Sequence, residues 1–155
     1  MRRLTRTLPA AALALAVGGC GFLVDTADDG PGERTAFVEL GPLAMRPDHD
    51  LRGTRLGPRG EAERLYAALE AAEAGKLPQV RKALTVTPAD GEVGLAIVLP
   101  GCRNTGARLA VKGRTVSAEL TGGENVNCGQ AEYFLATFEI PAGDLPDNWT
   151  SGATP

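Results

Sequence analysis

Residues 92–100 read EVGLAIVLP. In an extended strand successive side chains point to opposite faces, so Val93, Leu95, Ile97 and Leu99 share one face and Gly94, Ala96 and Val98 the other. Both faces are apolar, and a strand of that kind belongs in the middle of a sheet with both sides covered. Pro88-Ala89-Asp90-Gly91 leads into it, with Pro suited to the first corner of a turn and Gly to a positive φ.

Downstream, Ala107, Leu109 and Val111 alternate with Arg108, Ala110 and Lys112. After Lys112-Gly113-Arg114, Val116, Ala118 and Leu120 alternate with Ser117, Glu119 and Thr121. Two period-2 runs joined by a short glycine-bearing turn predict a hairpin. A last strand over Tyr133–Ile140 is expected to place Phe134, Ala136, Phe138 and Ile140 inward and Leu135, Thr137 and Glu139 outward. Upstream, the weak alternation of Val80–Thr87 reads as another strand, and Thr35–Leu40 as a possible first one.

Between these lies a helix, about residues 60–75. Leu65, Leu69 and Ala72 fall at i, i+4 and i+7, with Ala62 and Tyr66 adjoining. Glu61 and Glu63 suit its positive end, Gly75 offers a left-handed stop, and Pro78 blocks continuation. Arg46–Arg59, rich in Pro, Gly and charge, reads as a loop holding the single histidine, His49. The predicted fold is α+β: one helix packed on an antiparallel β-meander of about five strands, with a small β-sandwich as the alternative because residues 95–98 are apolar on both faces.

The N-terminus reads as a targeting segment. Arg2, Arg3 and Arg6 precede a short apolar run, Leu8–Val17, too short to cross a bilayer. Val17-Gly18-Gly19-Cys20 follows and resembles the lipobox of bacterial lipoproteins, with Val where Leu is more usual. The resemblance covers residues 1–20. It implies cleavage before Cys20, lipidation of that thiol through a thioether that carries palmitate-type acyl chains, and attachment of the chain to the extracytoplasmic face of a cell membrane. The expected organisation is a signal peptide (1–19), a lipidated flexible tether (20–34), one extracytoplasmic domain (35–145) and a loose tail (146–155), with Trp149 able to fold back.

Cleavage would remove three of the 16 Lys and Arg residues and leave 13 against 19 Asp and Glu, a net charge of −6. Such an acidic chain argues against nucleic acid as a partner. With Cys20 spent on lipid, Cys102 and Cys128 remain, and in an oxidising compartment they are expected to form a disulfide. Each lies in a Gly- and Asn-rich connection, so the bridge would staple two loops. Those loops display Arg103, Asn104, Glu124, Asn125 and Asn127, the candidate ligand-binding residues.

Catalytic patterns are weak. His49 has no Gly-x-Ser-x-Gly to accompany it, and no Cys-x-x-Cys, Walker loop or EF-hand spacing occurs, so neither metal nor cofactor is implied. Glu119, Glu124, Glu132 and Glu139 could in principle supply the opposed carboxylates of glycoside hydrolysis. The expectation is a non-enzymatic binding module of the envelope, engaging an envelope protein, a wall polymer or a small ligand. The alternatives are a carboxylate-dependent cell-wall hydrolase and a structural accessory protein.

Overall fold

The computed structural model describes residues 30–44, 53–57, 60–123 and 127–152. Cys20, His49, Glu124 and Asn125 lie outside these, as do the signal peptide and most of the tether. The described chain runs β1 (Glu33–Gly41), β2 (Gly53–Leu56), α1 (Glu61–Ala71), α2 (Leu77–Leu84), β3 (Glu92–Gly101), β4 (Gly106–Lys112), β5 (Thr115–Thr121), β6 (Glu132–Pro141) and β7 (Thr150–Ser151).

The α+β class holds, and the number of layers is larger than expected. Strands β1-β6-β3-β2 form one antiparallel sheet and β4-β5-β7 a second. Residues 92–101 are central, between β6 and β2, as their two apolar faces require. One face carries Ala96 and Val98 toward the two helices, where Leu65, Leu69, Val80 and Leu84 are buried. The other carries Val93, Leu95, Ile97 and Leu99 toward the second sheet, against Leu109, Val116 and Ala118. The result is three layers, helices on sheet on sheet, so each alternative from the sequence describes one of its two interfaces.

A meander is not what forms. After β3 the chain crosses to make the β4–β5 hairpin, with Val111 opposite Val116 and Gly113 at positive φ, then returns as β6 between β1 and β3. Strand β6 is buried on both faces, including Leu135 and Thr137, which alternation alone puts outside. Thr137 meets its hydrogen-bonding need through Thr35, Oγ1 to Oγ1 at 2.8 Å. The correction follows from the helix layer: a sheet covered twice has no solvent side at its centre.

Two helices occur where one was expected, and residues 77–84 are helix, not strand. Val80, Ala83 and Leu84, spaced i, i+3 and i+4, form the buried side of α2. Pro78 stands in the first turn of α2, where its missing N–H costs nothing. The left-handed residue that stops α1 is Glu73 (φ 59°), not Gly75. The Ala74 N–H donates to Leu69 O and the Glu73 N–H to Glu70 O, the Schellman pattern. Gly75 instead makes a close approach: its N–H donates to Leu40 O at 2.8 Å, and a Cβ would stand 3.0 Å from that oxygen.

Three boundaries also shift. The segment 53–56, expected in a loop, is an edge strand with Thr54 and Leu56 buried. The last residues assigned to the tether are packed: Gly32 lies where a Cβ would come 2.7 Å from Glu139 O, and Arg34 donates to Ala107 O. The segment 146–152, expected to be loose, is placed, with Trp149 packed on the inter-sheet core and β7 pairing parallel with β5. No helix among the described residues is long and apolar enough to cross a membrane.

Candidate functional site

The disulfide pole is built from three chain segments. β3 ends at Gly101 opposite Glu132, the first residue of β6, and Cys102 bridges to Cys128 with Cα atoms 5.8 Å apart. This is the expected staple. Asn104 braces it: its Oδ1 accepts from the Cys102 N–H at 2.8 Å, and its Nδ2 donates to Gly122 O at 2.6 Å. The Thr105 N–H donates to Thr121 O, extending the β4–β5 ladder into the loop. Gly123, at φ 75°, lets the second loop lie against the first, because a Cβ there would stand 2.7 Å from Cys102 O.

Of the candidate binding residues, Arg103 and Asn127 are exposed on the two stapled loops. Arg103 holds a left-handed backbone (φ 54°) that turns it out of the strand direction. Asn104 is engaged at both ends of its amide, so it shapes the loops. Glu124 and Asn125 fall between the described halves of the second loop.

Of the carboxylates proposed for hydrolysis, Glu119, Glu132 and Glu139 are among the described residues. Glu119 is held by Arg108 on the neighbouring strand, Nη2 to Oε2 at 2.6 Å and Nε to Oε2 at 3.0 Å. That hydrogen bond, and then the Arg108 charge, hold its carboxyl below the usual range. Glu132 and Glu139 stand at opposite ends of β6, roughly 23 Å apart at strand rise, where paired glycosidase carboxyls need about 5–9.5 Å. Among the described residues no group of His, Cys, Asp or Glu is arranged to hold a metal ion.

Glu139 has a partner the sequence reading missed. It lies opposite Glu33 on β1 and Gly94 on β3, which leaves Glu92 as its diagonal neighbour across a residue with no side chain. A hydrogen bond with Glu92 raises its pKa, followed by partial burial and the Glu92 charge; Glu33 adds to this, and the Ala89 N–H opposes it. A folded-state pKa raised above the ordinary 4.5 stabilises the fold below that value and loses its effect as pH rises through the folded value. Glu139→Gln is therefore expected to raise the urea midpoint at pH 7 and to match the parent near pH 4. A lowered midpoint at pH 7 would contradict the assignment.

A second concave feature lies on the helix layer. A cleft of about 580 Å³ is bounded by Gly57, α1, α2 and the segment 85–87. Tyr66 and Arg81 line it, with the Arg81 Cζ 3.9 Å from the Tyr66 ring centroid. Tyr66 stands on α1 and Arg81 on α2, in the stretch expected to be a strand, and the helix pairing brings them together.

Comparison with protein-family models, curated proteins and solved structures finds no match to this chain.

Proposed function

We propose that the protein is a lipid-anchored extracytoplasmic lipoprotein whose disulfide-stapled loops bind another component of the cell envelope, a protein or a wall polymer. The observation that carries this reading is the placement of the two poles. Among the described residues Gly30 lies against Leu109, midway along β4, and Glu33 pairs with Glu139 near the end of β6, whereas Cys102 and Cys128 lie beyond the other end of β3 and β6, roughly 25 Å from Glu139 along the strands. A lipid on Cys20 would leave a tether of about ten residues, with a coil reach of roughly 17 Å. It would hold the first pole beside the membrane and turn the stapled loops outward.

Cysteine usage supports the same reading. Cys102 and Cys128 pair with each other, which leaves Cys20 as the one thiol available to lipid. Two or more acyl chains, at about 0.8 kcal/mol per buried CH₂, suffice for stable anchoring where a single chain is marginal.

The test places a photo-crosslinking side chain at Arg103 or Asn127 in the full chain and illuminates intact envelopes. A discrete adduct from these positions, absent from a control at Lys82 on the helix layer, is expected. No adduct from either loop position would overturn the binding role. Cys20→Ala is expected to shift the protein to the soluble fraction, and continued membrane fractionation would overturn the anchor.

A further inference from the structure

The cleft on the helix layer presents an incomplete charge arrangement. Glu63, Glu70 and Arg81 line it. The Glu63 carboxylate is committed, its Oε2 accepting from the Gly60 N–H at 3.0 Å, where it caps α1. The ion pairs among the described residues are Lys76–Glu39 and Arg108–Glu119. Neither Arg81 nor Glu70 has an ionic partner among those residues. Stacked on Tyr66, the Arg81 guanidinium makes a face contact that leaves its in-plane N–H donors without a partner among the described residues. Glu70 follows Tyr66 by four residues, one turn further along the same side of α1.

One cation and one anion that have no ionic partner among the described residues thus share a cleft whose remaining walls include Ala62, Leu84 and Val86. We propose that the cleft binds a small zwitterion with an apolar group, an apolar amino acid or dipeptide. Its carboxylate would take the Arg81 fork, its ammonium Glu70, and its side chain the aliphatic wall. The volume lies within the range of small-molecule sites, roughly 300–1,000 Å³. Phosphates and dicarboxylates fit less well, because Glu63 and Glu70 would repel the second charge. This site is independent of the stapled loops.

The probe is L-leucine titrated into the full chain by ligand-observed NMR, beside N-acetyl-leucine, which lacks the ammonium, and leucinamide, which lacks the carboxylate. Saturable leucine binding is expected, with each analogue weaker by about tenfold or more, corresponding to about 1.4 kcal/mol. Arg81→Gln and Glu70→Gln should each weaken leucine similarly, and Lys82→Gln should not. If Arg81→Gln fails to fold, the analogue series on the parent protein decides. Absence of saturable binding by leucine and by Ala-Leu, equal binding of all three leucine probes, or unaltered binding by folded Arg81→Gln would each overturn the proposal.

Discussion

Leu135→Ala is expected to destabilise the fold by about 2–5 kcal/mol, the range for deleting a fully buried leucine side chain. Leu135 is completely enclosed in the core formed with Val38, Leu65, Val80 and Val98, on the helix side of β6. Phe138, on the opposite face against the second sheet, should show a comparable or larger loss on truncation to Ala, about 3–5 kcal/mol. The comparison separates architectures. A sheet with one solvated face would lose heavily at Phe138 and by no more than about 0.5 kcal/mol at Leu135. Equilibrium urea unfolding of the two variants reads the difference, and a Leu135→Ala midpoint equal to the parent would contradict the three-layer core. Small domains have about 5–15 kcal/mol in total, so either change removes a large fraction.

Replacing Cys102 and Cys128 together by Ser is expected to cost about 3.5 kcal/mol in the chain-entropy account, for a bridge spanning 26 positions. The loops also lose the constraint that holds Asn104 between Cys102 and Gly122, so the effect should extend beyond global stability. Amide exchange at position 102, whose N–H donates to Asn104 Oδ1 in the parent, should accelerate more than exchange at Ala136 in the middle of β6. Chemical unfolding of the parent with reductant should reproduce the loss seen for the double variant. A double variant as stable as the oxidised parent would contradict this role for the bridge.

What could be read from the sequence was whatever a local pattern settles alone. The two-faced run 93–99, the hairpin around Gly113 and the face Leu65-Leu69-Ala72 each carry their own periodicity, and cysteine arithmetic left one pairing once Cys20 was set aside. Residues 77–84 failed that test, since eight residues give too little length to separate a weak alternation from Val80, Ala83 and Leu84 on one helical side. Pro78 then read as a stop for the preceding helix, although it also suits the first turn of the next. Strand β2 has only Thr54 and Leu56 to bury, and β7 has two residues, so both depend on neighbours that no local window contains. Leu135 was misplaced for the same reason, because alternation reports two faces but not how many layers cover them.

The sites divide along the same line. The stapled loops were legible because cysteines and turn residues mark them, yet the inward turn of Asn104 depends on where Gly122 comes to lie. The Glu92–Glu139 pair exists only through the β3–β6 register. The cleft joins Tyr66 to Arg81 across a helix hairpin whose second arm was read as a strand.

Three sulfurs are expected to divide, one to lipid and two to each other. Intact mass of the protein extracted from membranes, recorded with and without reductant, tests this division most directly. A chain beginning at Cys20, heavier than its polypeptide by a thioether-linked glyceryl group with two or three fatty acyl chains and gaining the mass of two hydrogens on reduction, is the expected result. An uncleaved chain without acyl groups, or one in which all three cysteines alkylate before reduction, would contradict it.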